Sequence, residues 1–402
     1  MMKSSRRKLD LSIDRLMVLL LFLFSLDFLD LSGAIIALTI LLCIFFKFTT
    51  IKIDKNCGLL VLFSLMYFGS VAFFEGFSLD HLIKFAIAPW GCYIIGYNFD
   101  TKEDSISVTK LAAIMALGFF MHGMLNLISS IQVFGAGFNN NYRLAYDFWQ
   151  KRQISVSTAA LYYSPLALMC IGGAFFARSK IIKMLSVVSI FLSLYATLIY
   201  QNRTLILAVG VVILTNIIII IRDNGLTTKR KLWLFASIFV AILLFILIWT
   251  TNMWGIRRFL EGTNLFYRLT GGDQDRTKIW ASFIFGEAWK YPFGGTKAIL
   301  YNNKPYVHNL WLDTFRRTGF LPFILLIAFT VKGIKDSVTF IKHQNMNVME
   351  NTRILASLLF GTLFLFFTEP IIEANPYLFY FPIIIIGMIC RSNRGYRTRE
   401  EN

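Results

Sequence analysis

Four polar stretches interrupt an otherwise apolar chain, and their residue types could manage an anionic leaving group. Gln201-Asn202-Arg203-Thr204 puts a guanidinium where two apolar runs meet. Asp273-Gln-Asp-Arg276-Thr-Lys278-Ile-Trp280 opens a run with apolar residues three and four apart, ending in Pro292-Phe-Gly-Gly295. Tyr306-Val-His308-Asn309 sets an imidazole beside an amide, with Asp313, Arg316 and Arg317 following. Glu369-Pro370-Ile-Ile-Glu373-Ala-Asn375-Pro376 joins the last two apolar runs with two carboxylates. A guanidinium is a planar, permanently charged fork that matches phosphate oxygens, and histidine can take a proton from a hydroxyl near neutral pH.

Each stretch also has a plainer reading. Arg203 suits either a lipid-linked phosphate or pyrophosphate, or lipid head groups reached by snorkelling. Arg276 and Lys278 fall in the first turn of an expected amphipathic helix, where basic groups oppose the dipole unless they serve an anion bound there. The alternative is a helix lying on the membrane with solvated charges. Of the four histidines, His343 falls on the cytoplasmic side, His122 in mid-span, and His81 outside without polar company, so only His308 combines the outer face with polar neighbours. The Glu369–Pro376 connection reads otherwise as a rigid turn. Asn139 to Arg152, with Arg143 and Trp149, mixes aromatics, amides and charges, which suits sugar rings or an aromatic membrane belt. No His/Cys/Asp cluster has metal-ligand spacing, and neither a nucleophile elbow nor a Walker phosphate loop is present. Cys43, Cys57, Cys92, Cys170 and Cys390 read as buried apolar fillers.

The elements that must position these groups follow from composition. Of 402 residues 56% are hydrophobic and 16% charged, and the 40 phenylalanines equal the Lys and Arg total. That excludes a disordered chain and leaves a soluble enzyme nowhere to hide its apolar surface. The expected fold class is an all-α polytopic membrane protein. At roughly 20 residues per span, runs near 15–32, 34–49, 57–75, 82–98, 108–131, 157–177, 183–201, 204–221, 232–250, 319–333, 353–368 and 376–390 make about twelve transmembrane helices. The whole chain, 1–402, forms one integral membrane domain.

The net charge of +17 then points to cytoplasmic loops and not to nucleic acid. With both termini cytoplasmic, nearly all the short inner segments are basic, while the short outer ones near Gly33, Gly76–Asp80 and Asn375 carry no Lys or Arg. The two long loops, 132–156 and the larger 251–318, fall outside with all four polar stretches. A basic outer loop asks for an anionic ligand.

In this order and on one face, the four stretches resemble those of the bacterial O-antigen ligase and O-antigen polymerase superfamily. The matching part is mainly residues 140–390; the first five spans match only in hydropathy. The resemblance implies a GT-C-like fold and metal-independent glycosyl transfer without cofactor, in the bacterial cytoplasmic membrane. The implied donor is an oligosaccharide on polyprenyl pyrophosphate, reached among membrane lipids at the outer face. It implies that Arg203 and Arg276 hold the pyrophosphate, and that His308 is the base or a third phosphate ligand. Arg143, Trp149, Asn309, Arg316, Arg317 and Glu369 are the candidate substrate contacts. The Arg143–Trp149 stretch favours a polymerase of O-antigen, capsule or exopolysaccharide repeat units over a lipopolysaccharide ligase acting on lipid A-core. A flippase and a chain-length regulator are the expected protein partners. A flippase of lipid-linked sugars is the alternative from another class, weakened by the large outer loop and the lack of inverted repeats.

Overall fold

Apolar runs bounded by capping residues become helices wherever a polar side chain can take the first free N–H groups. Asp54 accepts from the Cys57 N–H at 3.0 Å to start the helix Lys55–Glu75, which stops at Gly76. Ser107 does the same for Val108–Phe134, which stops at Gly135. Asn202 accepts from the Thr204 and Leu205 N–H groups to open Arg203–Arg222.

The computed structural model describes residues 2–99, 107–135, 144–222, 275–343 and 349–400, with scattered positions between 232 and 261. The chain is mostly helical. Among the described residues six helices are long and apolar enough to cross a membrane. They are Lys55–Glu75, Val108–Phe134, Val156–Phe176, Lys180–Ile199, Arg203–Ile221 and Asn351–Thr368. Helices also cover the runs at Met2–Ser25, Ser32–Lys47, Phe320–His343 and Pro376–Glu400. The run expected at 82–98 is helical from Leu79 to Tyr97 with a π-helical turn at Leu82–Ile87. Pro89 has no N–H for an ordinary helical bond, and the wider turn just before it accommodates this. Most of the expected span 232–250, most of residues 253–274, and Arg143 lie outside the described residues.

Two expected boundaries are too short. The helix expected to end near 333 runs to His343, and the one expected to end near 390 runs to Glu400. Backbone hydrogen bonding continues where the apolar pattern stops, since Lys and Arg are good helix formers. The first long loop is not plain coil either. Leu144–Tyr146 pairs antiparallel with Gln153–Ser155, Ala145 facing Ile154.

The last helix is the packing axis. Ile384, Ile385, Met388 and Ile389 are fully buried. A Cβ on Gly96 would sit 2.0 Å from the Ile384 carbonyl oxygen, and one on Gly387 2.5 Å from that of Tyr93. Small residues let the two backbones touch, as membrane helices require when apolar burial alone does not favour association. At the end of the bundle away from the four polar stretches, Lys47 bridges Asp14 and the Asn98 carbonyl, each at 2.6 Å.

The connections assigned to one membrane face meet at one end of the bundle. The Trp149 indole donates to the Leu26 carbonyl at 3.1 Å, Arg317 pairs with Glu75, and Asn309 reaches the Phe367 carbonyl at 3.3 Å. Pro292-Phe-Gly-Gly295 wraps the end of the helix Leu310–Thr318: Gly295 N–H donates to the Arg317 carbonyl and Phe320 N–H to that of Pro292, both at 2.9 Å. Gly319 has φ +89°, and a Cβ there would lie 2.6 Å from the Phe293 carbonyl carbon. Gly319→Ala is therefore expected to destabilise the protein by about 1–3 kcal/mol from backbone strain, with crowding in addition. Gly58→Ala, in open space, should be neutral or slightly stabilising. Thermal unfolding of the detergent-solubilised variants measures both.

Candidate functional site

Three of the four polar stretches converge on the carboxylate in the fourth. Glu369 is 2% exposed. The Arg276 guanidinium donates to its Oε1 at 3.0 Å, and the Thr204 hydroxyl donates to the same oxygen. The other oxygen lies 4.0 Å from His308 Nδ1. The Arg276 and His308 side chains are 21% and 28% exposed, so they face outward over a floor made by Glu369 and Thr204. Each stretch places its group by a local device. Arg276 rides the short helix Asp275–Ser282. Arg203 and Thr204 open their helix beyond Asn202, after a left-handed turn at Gln201, φ +51°. His308 itself has φ +60°. A left-handed conformation without glycine costs energy that surrounding structure must offset, and such strain clusters at functional positions.

Asn309 is committed to structure: its side chain accepts from Trp311 and Leu312 N–H, capping Leu310–Thr318. Asp313 turns back to accept from Val307 N–H at 2.6 Å and Asn309 N–H at 3.0 Å, which clamps the His308 backbone between them. Arg316 and Arg317, also candidates for the substrate, point at carboxylates. Arg316 faces Glu373 at 3.5 Å. Arg317 makes a two-pronged contact with Glu75 at 2.8 and 2.7 Å and lies over the Phe85 ring. Arg276 is paired in turn with Glu369, the carboxylate that His308 faces. Trp149 lies away from this group, its ring edge against Phe28.

Glu373 and Asp313 share the Arg316 charge. Burial pushes the Glu373 carboxyl up to about 8, the Asp313 charge adding to the rise. Burial likewise raises Asp313 to about 6 against its backbone hydrogen bonds. A carboxyl raised in the fold stabilises it while protonated, from below its unfolded value near 4.5, and this stability is lost as pH rises through the folded value. The unfolding temperature is accordingly expected to fall between about pH 5 and about pH 8 and then level off. Glu373→Gln should remove most of that slope; a thermal series in detergent across this range compares it with wild type.

His122 lies inside the helix Val108–Phe134, as its mid-span position in the sequence leads one to expect, and it is fully buried between two carboxylates. Its Nε2 is 3.3 Å from Asp147, its Nδ1 is 4.0 Å from Asp27, and its ring stacks on Tyr162 at 4.2 Å. The signal was Asp147, but nothing in the sequence shows that the loop folds inward. Thr204 belongs to the first stretch, but no role of its own was legible there, because its partner Glu369 lies 165 residues away.

Beside the site lies an apolar groove of about 260 Å³ between Arg203–Arg222, Phe320–His343, Met349–Thr368 and Pro376–Glu400. Phe366 lines it three residues before Glu369, and Thr330 lines it while accepting from the Trp311 indole at 3.1 Å. From Phe329 to Ile341 it extends about 18 Å along one helix. Half-exposed Ile334, Val338 and Phe360 on its walls open it to the outer surface of the bundle. Among the described residues no group of three or more His, Cys, Asp or Glu could hold a metal ion.

No family model and no curated protein matches the chain.

Proposed function

We propose that the chain is a glycosyltransferase of twelve spans and GT-C-like fold, lying in the bacterial cytoplasmic membrane with both termini inside. It transfers a glycan from polyprenyl pyrophosphate to the next lipid-linked repeat unit at the outer face. The carrying observation is the convergence of Arg276, Thr204 and His308 on one buried carboxylate, with an apolar groove of about 260 Å³ nearby. A polar head and a long apolar tail would then have adjoining places.

The chemistry follows from the geometry. An acceptor hydroxyl attacks the anomeric carbon, a new glycosidic C–O bond forms, and the bond from that carbon to the pyrophosphate oxygen breaks. The hydroxyl proton passes to His308, and the pyrophosphate lipid departs with the bonding pair. Negative charge grows on the leaving oxygen, and a guanidinium already held in place stabilises it without rearranging. Glu369 holds Arg276 and Thr204 and faces the imidazole. Arg203, one residue before Thr204, supplies the second fork.

The test is purified protein with lipid-linked repeat units. A ladder of products supports a polymerase. One transfer that requires lipopolysaccharide core makes it a ligase, and redistribution without new bonds makes it a transporter. With arginines serving the leaving group, the ladder should persist in excess chelator; loss restored by magnesium or manganese would overturn that role.

A further inference from the structure

The segment Asp275 to Tyr301 is apolar on two opposite sides, and the protein covers one of them. Ile279, Phe283, Ala288 and Leu300 turn inward to form a small core with Val307 and Phe315. On the other side Phe285, Trp289, Phe293 and Ile299 are 85%, 71%, 80% and 70% exposed. A segment apolar on two sides needs apolar neighbours on both.

Its position says what the second neighbour is. Arg317 grips Glu75, the last residue of the spanning helix Lys55–Glu75. Ser70 of that helix donates to the Thr318 carbonyl at 3.0 Å. Five residues of helix are about 7 Å, so the Leu310–Thr318 helix and the Pro292–Gly295 turn wrapped on it sit within the last 7 Å or so of a span. A Cβ on Gly295 would lie 2.9 Å from the Phe74 ring. The exposed side thus adjoins the end of that span, where Phe73, and Phe77 just beyond it, are 82% and 70% exposed. Exposed Lys290 and Lys297 flank it. Aromatic and aliphatic side chains with lysines at their edge are the composition of a helix lying at the boundary of head groups and acyl chains.

We infer that residues 283–301 form a membrane-inserted wedge, with Phe285, Trp289, Phe293 and Ile299 in the acyl-chain boundary of the adjoining phospholipid leaflet. The segment is then an in-plane element of the bilayer and not part of a soluble loop. Its insertion fixes the level of Arg276, about two turns earlier in the chain, at the head-group layer. This holds whatever reaction the site performs.

Nitroxide labels at Phe285→Cys, Phe293→Cys and Lys290→Cys test it in the full chain, reconstituted into phosphatidylethanolamine–phosphatidylglycerol vesicles. Four of the native thiols are buried and Cys170 is half-buried, so labelling of the parent chain supplies the background. Labels at 285 and 293 should collide several-fold more with oxygen than with a neutral nickel chelate, whereas the label at 290 favours the chelate. Chelate-dominated collisions at 285 and 293 would overturn the wedge. So would dipolar broadening between labels, which would put a second copy of the chain on this face. A check without cysteine changes is bromolipid quenching, taken as the difference between wild type and Trp289→Phe; a vanishing difference also counts against insertion.

Discussion

Arg276→Ala is expected to lower polymer formation by roughly 30- to 1000-fold, the equivalent of about 2–4 kcal/mol of lost stabilisation at a leaving oxygen. The substitution has a second consequence. Glu369 is 2% exposed, and removing the partner of a buried charge destabilises a fold by about 3–5 kcal/mol. The two effects separate in a double variant. Arg276→Ala with Glu369→Gln has no orphaned charge and should recover the membrane level of wild type, yet stay as inactive as Arg276→Ala. Full activity in a well-expressed Arg276→Ala chain would remove Arg276 from the leaving-group site. Recovery of both level and turnover in the double variant would make the pair structural alone. Arg203→Lys probes the neighbouring position: the charge stays and the planar fork goes, so a two-pronged phosphate contact fails while a head-group contact survives. Normal chain-length profiles from that variant would assign Arg203 to the lipid surface.

The contrast between Arg276 and Arg316–Arg317 marks what the sequence could and could not show. Apolar runs placed the helices because burial and capping are local: Asp54 and Ser107 sit next to the runs they start. The alternation of basic and uncharged connections grouped the polar stretches, and contacts such as Trp149 to Leu26 and Arg317 to Glu75 bring them to one end. Pairing between stretches was not legible. Thr204 and Arg276 meet Glu369 from 165 and 93 residues away, and Arg317 meets Glu75 across 242. A sequence lists each arginine as an available cation; only packing shows that Glu75 already holds one. The partners of His122, Asp27 and Asp147, were out of reach for the same reason, since they lie on other elements. The Leu144–Ser155 hairpin failed differently, since three-residue strands are too short to display an alternating pattern.

His308→Ala is expected to bring turnover to background while donor-lipid binding persists, if the imidazole takes the acceptor proton. General-base removal alone is worth about 100- to 10,000-fold. The carboxylate facing the His308 ring, Glu369, is buried and already accepts from Arg276 and Thr204. The backbone there is held by Asp313 through the flanking N–H groups of Val307 and Asn309, so Ala should keep the φ +60° turn and leave the site framed as before. His308→Asn sharpens the comparison. An amide tolerates the left-handed turn and can donate to a phosphate oxygen, but it cannot accept a proton near neutral pH. If His308 is the base, both variants lose turnover and bind donor lipid as wild type does. If His308 is a phosphate ligand, Ala weakens donor binding and Asn restores much of it, together with turnover. Equilibrium binding of the lipid-linked repeat unit, measured beside chain-length profiles and membrane levels, distinguishes the two. Undiminished polymer from His308→Ala would remove His308 from both roles and leave its strained backbone without a catalytic explanation.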